Sequence, residues 1–181
     1  MFKRFALILI VLCTVVLNGC VSPSSGLVLY RDVKDGYRFL YPNGWQEAKI
    51  NKENGLDILF HDIIEPSENV SVVIGKLQSV KDLHELGSAS DVGLRVLRRI
   101  IAPNFSEQAE LLSANERDVD GRAYYTFEYL IPLRGGEVRH TLVTVTSNKD
   151  NLYTLSASAR ASRWARVKQL FQQVADSFVV E

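Results

Sequence analysis

The chain has 181 residues, 21 basic against 21 acidic side chains, 46% hydrophobic residues and two cysteines. That length suits one domain around one sizeable core, and the even charge balance argues against nucleic acid or a strongly anionic surface as the main partner. Cys13 and Cys20 both lie near the start, so the rest of the chain holds no disulfide, no thiol nucleophile and no cysteine-based metal site.

Lys3 and Arg4 open an apolar run, Phe5 to Leu17, that ends in Leu17-Asn18-Gly19-Cys20. A basic head, a short apolar core and a small residue make a secretory signal, and 13 apolar residues fall short of the roughly 20 needed to span a bilayer as a helix. With a cysteine directly after the small residue, the segment resembles the lipobox of bacterial lipoproteins. That resemblance implies removal of residues 1–19 and acylation of Cys20. Loss of Lys3 and Arg4 brings the basic count from 21 to 19 against 21 acidic residues, a formal charge of −2. Val21-Ser22-Pro23-Ser24-Ser25-Gly26 is a stretch of small and turn-forming residues that cannot bury much, so residues 20–29 are expected to form the lipidated N-terminus and a flexible tether, with the domain proper over 30–181.

Alternation then takes over. Tyr37, Phe39 and Tyr41 share one face of a strand that stops at Pro42-Asn43-Gly44, Leu56 to Asp62 places Leu56, Ile58 and Phe60 together, and Val70 to Gly75 is β-branched. Between Asp82 and Ala102 the period lengthens: Leu94, Leu97 and Ile101, joined by Val96 and Ile100, predict a helix capped by Ser90 or Asp91 and stopped by Pro103. Strands follow over 110–119, 122–131, 137–147 and 152–159, separated by Asp120-Gly121, Gly135-Gly136 and Lys149-Asp150-Asn151, the spacing of an antiparallel meander. Ser162 is placed to cap a last helix with Trp164, Val167, Phe171, Val174 and Phe178 as its apolar stripe. About seven largely antiparallel strands with two one-sided helices predict an α/β/α sandwich.

No Gly-x-Ser-x-Gly elbow, Walker loop, His-Glu-x-x-His pair or dinucleotide fingerprint occurs, so no enzyme is expected. His61, His84 and Glu85 are either surface polar residues or part of a zinc or calcium site; no cofactor is required by the pattern. Asp32 and Asp35 offer oxygen ligands but lack the spacing of an EF-hand and read as turn formers. Arg95, Arg98 and Arg99, and again Arg160, Arg163 and Arg166, fall at helical spacing. Each set is either a solvated helix face or a surface for docking on carboxylates of a partner protein.

The segment Tyr30-Arg31-Asp32-Val33-Lys34-Asp35-Gly36-Tyr37-Arg38-Phe39-Leu40-Tyr41-Pro42-Asn43-Gly44-Trp45 resembles the opening signature of the PsbP family, extrinsic lumenal proteins of photosystem II. The resemblance continues through Asp91-Val92-Gly93-Leu94-Arg95-Val96-Leu97-Arg98-Arg99, Gly121 to Tyr129, Arg139-His140, Leu152-Tyr153-Thr154-Leu155, Trp164 and Ser177-Phe178. It implies a non-enzymatic monomer on the lumenal side of the thylakoid membrane, held by its lipid and attached to photosystem II subunits. The lipobox and the short tether resemble the cyanobacterial lipoprotein branch rather than the plant proteins, whose longer arm is associated with ion retention. A role in assembly or stability of the photosystem, and through it the oxygen-evolving complex, follows from that branch. The alternative is a lipoprotein that delivers calcium, manganese or zinc.

Overall fold

The hairpin turns set the topology. In the computed structural model, which describes residues 26–51, 55–77, 82–104 and 108–181, Asp120 and Gly121 take φ of 54° and 77°. Both central residues are thus left-handed, as a tight two-residue hairpin with the native strand twist requires. Lys149, at φ 54°, helps close a second two-residue hairpin between the paired Asn148 and Asn151. These turns and the longer one at Gly135-Gly136 fold β6 (Glu110–Val119), β7 (Arg122–Pro132), β8 (Val138–Asn148) and β9 (Asn151–Arg160) into the expected meander.

Strand β9 then pairs with β5 (Asn69–Lys76), β5 with β4 (Leu56–His61), and β4 with the two-residue β3 (Gln46–Glu47). The result is one seven-stranded antiparallel sheet of order β3-β4-β5-β9-β8-β7-β6. The strand carrying Tyr37, Phe39 and Tyr41 lies outside it. As β2 (Tyr37–Pro42), it sits between β1 (Leu27–Asp32) and β10 (Val179–Val180) in a separate three-stranded sheet. Leu27 to Leu29, expected at the end of the tether, pair here with Leu40 to Pro42 as part of β1.

Period-two alternation divides the sheet into two cores. On one face Tyr125, Phe127, Tyr129, Val143 and Val145 pack under α1 (Ala89–Val96) and the π-helical turn Leu97–Ile101. On the other, Val70, Val72, Tyr153, Leu155 and Ala157 pack against Tyr37 and Phe39 of β2 and against Trp164, Val167, Phe171 and Val174 of α2 (Trp164–Ser177). One helix per face makes the α/β/α sandwich, with the small sheet beside α2. Trp45 turns back onto this core, edge-on to Phe171 at 6.1 Å.

Three local expectations change. The cap of α1 is Ser88, whose Oγ accepts from Asp91 N at 3.2 Å, so the helix starts before Ser90. Its buried side is Val92, Gly93 and Val96, while Leu94 is exposed. Counting apolar residues overlooks a glycine: a Cβ on Gly93 would lie 2.9 Å from the ring of Phe127, so the missing side chain lets the helix lie directly on β7. Ser162 falls inside a 3-10 turn, Ala161–Arg163, and gives α2 no side-chain cap. The other end of α2 is served from across the sheet, where Arg117 donates to the carbonyls of Ala175, Asp176 and Phe178 at 2.7–3.2 Å.

Candidate functional site

The two arginine clusters, alike in sequence, part company in the fold. Arg163 donates to Glu68, a carboxylate almost wholly buried, and faces Glu65 at 3.9 Å. Arg160 pairs with Glu137 at 3.3 Å. Two of these three guanidinium groups therefore hold the entry of α2 to the rest of the domain, and Arg166 alone of its set is exposed without an ion pair among the described residues. Arg95, Arg98 and Arg99 are all exposed on α1 and its π turn, with no hydrogen bond or ion pair among the described residues. Cys20, the leader and the tether up to residue 25 lie outside the described residues.

The metal candidates fall in two places. His61 pairs across β4 with Gln46 and Asn69, and its Nδ1 lies 3.0 Å from the Asp62 carbonyl oxygen. His84 sits with Glu85 in the 3-10 turn Leu83–Leu86, 3.1 Å from the Tyr125 hydroxyl and 3.6 Å from Glu116. Among the described residues, the group that can offer three ligands lies elsewhere: carboxylate oxygens of Asp32, Asp35 and Asp57 come within 4.8 Å of one another. Such an all-oxygen set matches a hard cation of the calcium type better than zinc. Asp32 is also the turn former expected, its Oδ1 accepting from Lys34 N and Asp35 N at 2.8 Å. Asp57 accepts from the Tyr37 hydroxyl at 2.5 Å, and burial followed by this bond raises the Tyr37 pKa. Nothing in the sequence marked Asp57, which β4 brings to the β1–β2 turn across the packed sheets.

A polar cluster on the α2 side also escaped the sequence reading. His140 Nε2 donates to Glu128 Oε1 at 2.7 Å, Trp164 Nε1 to the same oxygen at 3.1 Å, and Lys168 at 3.3 Å. Burial pushes the Glu128 pKa up, but His140 and Lys168 outweigh it and hold the carboxyl below its ordinary range. Burial also lowers His140, against the opposing pull of Glu128. Glu128 lies at one side of a cleft of about 490 Å³ bordered by Ser113, Asn115, Arg117, Thr126 and Gln172. Alternate residues of β6 and β7 are polar here, the one available signal that this part of the face is left uncovered by α2.

The cluster, the crossed turn at Asp32 and the Gly93 contact all fall in segments whose sequence resembles one family, and comparison with known proteins agrees. Residues 25–180 match the PsbP family. The chain belongs to the PsbP family. It is 42% identical to CyanoP of Thermosynechococcus vestitus over 185 residues, covering 99% of this chain and all of that protein. The solution structure of cyanobacterial PsbP (CyanoP) from Synechocystis superposes with a TM-score of 0.72 at 44% identity, covering 91% of this chain and 99% of the other. A more distant PsbP relative, photosynthetic NDH subunit of lumenal location 1 of Arabidopsis thaliana, is 34% identical over 82% of this chain and 60% of its own. The fold expected from the PsbP resemblance is thereby shown. Among the described residues no helix is long and apolar enough to cross a membrane.

Proposed function

We propose that this PsbP-family protein is a non-enzymatic accessory protein of photosystem II, lipid-anchored through Cys20 on the lumenal face of the thylakoid membrane, where it supports assembly or stability of the complex. The observation that carries the reading is the likeness to CyanoP over 99% of this chain and all of that protein; the anchor rests on the sequence Leu17-Asn18-Gly19-Cys20. Two acyl chains, at roughly 0.8 kcal/mol per buried methylene, suffice to anchor a domain stably on a bilayer. Tethering raises the effective concentration at the target, so a small polar interface suffices. The uncompensated arginines of α1 fit such an interface better than those at the entry of α2, most of which already have intramolecular partners.

The test is to purify photosystem II through a tag on a core subunit and to quantify this protein in immature and mature complexes, with wild type and Cys20→Ser side by side. Enrichment in immature complexes supports an assembly role and equal occupancy in active ones a structural role. In the Cys20→Ser strain its occupancy is expected to fall at least tenfold, the remainder being held by polar contacts alone. Absence of the wild-type protein from both classes of complex overturns the proposal.

A further inference from the structure

Strand β9 sends Leu152, Thr154, Ser156 and Ser158 to the face crossed by α1, opposite the row that builds the α2 core. The helix and its π turn cover that row incompletely and leave two hollows that meet at Ile100. One, of about 260 Å³, is walled by Val92, Val96 and Leu152, with Arg95 and Arg99 beside them. The other, of about 200 Å³, is floored by hydroxyls of Ser71, Thr141, Ser156 and Ser158, with Ile131 and Arg139 at its side.

The charges around this cleft are unbalanced. Arg95, Arg99 and Arg139 have no ion pair or hydrogen-bond partner among the described residues, although Arg139 is half-buried and pays for it with a guanidinium pKa lowered by desolvation. Of the nearby carboxylates, Glu137 pairs with Arg160 at 3.3 Å, and Asp91, one turn before Arg95, accepts from the Ser88 hydroxyl at 2.6 Å and makes no ion pair among the described residues. In the row between the two hollows, the Thr154 Oγ1 is buried and has no hydrogen-bond partner among the described residues. A domain that carries more acidic than basic residues after its leader has thus gathered three cations without an ion pair among the described residues along one half-apolar cleft.

We propose that this cleft is the docking groove for an extended segment of a partner protein in which carboxylates flank an apolar side chain. The inference rests on the docking role proposed above and locates it. The guanidinium forks of Arg95, Arg99 and Arg139 take the carboxylates, the Val92–Leu152 hollow takes the apolar side chain, and the serine and threonine hydroxyls serve the segment's remaining polar groups. An anionic lipid would satisfy the arginines equally well. Its acyl chain, however, needs a continuous apolar channel, and past Ile100 the floor becomes hydroxylic.

The experiment places a photoreactive apolar amino acid at Ile100, where the two hollows meet, or at Leu29, exposed on the three-stranded sheet, in the full lipidated chain bound to purified photosystem II. Cross-linked products are sequenced by mass spectrometry. Position 100 is expected to join a protein segment with carboxylates beside an apolar residue, and the pair Arg95→Glu and Arg99→Glu, both on the surface, to cut that yield at least tenfold. A product with lipid alone, a segment without carboxylates, or an undiminished yield from the charge-reversed chain overturns the groove. Cross-linking from position 29 but not from position 100 also overturns it, while leaving the docking role standing. No product from either position removes both.

Discussion

Trp164 lies flat over His140, ring centroids 3.9 Å apart and planes within 10°, while the imidazole Nε2 donates to Glu128. The stack excludes water from a histidine that is only 8% exposed, and burial is the leading cause of its lowered pKa. A histidine kept neutral in the fold is protonated first in the unfolded chain. Its contribution to stability is therefore complete above the ordinary value of about 6.5 and is lost as pH falls through that value towards the lower folded one. Glu128 acts in the same direction further down: its depressed folded value means that stability present above about 4.5 drains as pH falls through the folded pKa. The urea midpoint of the wild type is expected to fall between pH 7.5 and pH 5.5, and that fall to shrink markedly in His140→Gln. An equal fall in the variant would show that His140 stays solvated in the native state.

At the scale of elements, α1 is set by one atom that is absent. Gly93 faces Phe127 with 2.9 Å between a would-be Cβ and the ring, and its carbonyl accepts from the buried Tyr129 hydroxyl at 2.8 Å. Gly93→Ala gains up to about 1 kcal/mol of helix propensity but overpacks a closed contact at a cost of roughly 1–3 kcal/mol. The expected net is a loss of about 1 kcal/mol for Ala and about 3 kcal/mol for the β-branched Val. For a domain of this size the alanine variant should melt about 2–4 °C lower, and a melting point at or above wild type would mean that α1 does not bear on β7. This contact also shows what the sequence could reveal of the fold. Long strands announced themselves by alternation and the hairpins by Asp120-Gly121 and Gly135-Gly136, because those signals are local. Strands β3 and β10, of two residues each, are too short to have a period, and the first half of β1 reads as tether because Leu27-Val28-Leu29 follows directly on Ser24-Ser25-Gly26 without alternation. The candidate site was less legible. Arg163 and Arg99 look alike in the chain, and only the return of Glu68 from 95 residues away neutralises one and leaves the other. Asp57 joins Asp32 and Asp35 for the same reason: packing between two sheets places it there.

For the whole molecule, the proposed anchor and the proposed docking surface would act on one small domain with opposite salt dependence. Burial of acyl chains at Cys20 would be hydrophobic and survive high ionic strength, whereas attraction between the α1 arginines and an acidic partner would be exposed and screened. The Debye length falls from about 10 Å at 0.1 M to about 3 Å at 1 M salt. With the anchor in place, loss of docking returns the domain to the membrane surface, from which it rebinds once salt is removed; without the anchor it is diluted into bulk. Washing isolated thylakoids with 1 M NaCl is therefore expected to release most of a Cys20→Ser protein into the supernatant and to leave the wild type in the pellet. Photosystem II prepared from the washed wild-type membranes after desalting should regain the protein, and the Cys20→Ser material should not unless the supernatant is added back in excess. Release of both proteins by salt would show that the domain is held by polar contacts alone. Retention of both would mean that the protein–protein interface is apolar and far larger than the α1 cleft, so the arginines could not be its main determinant.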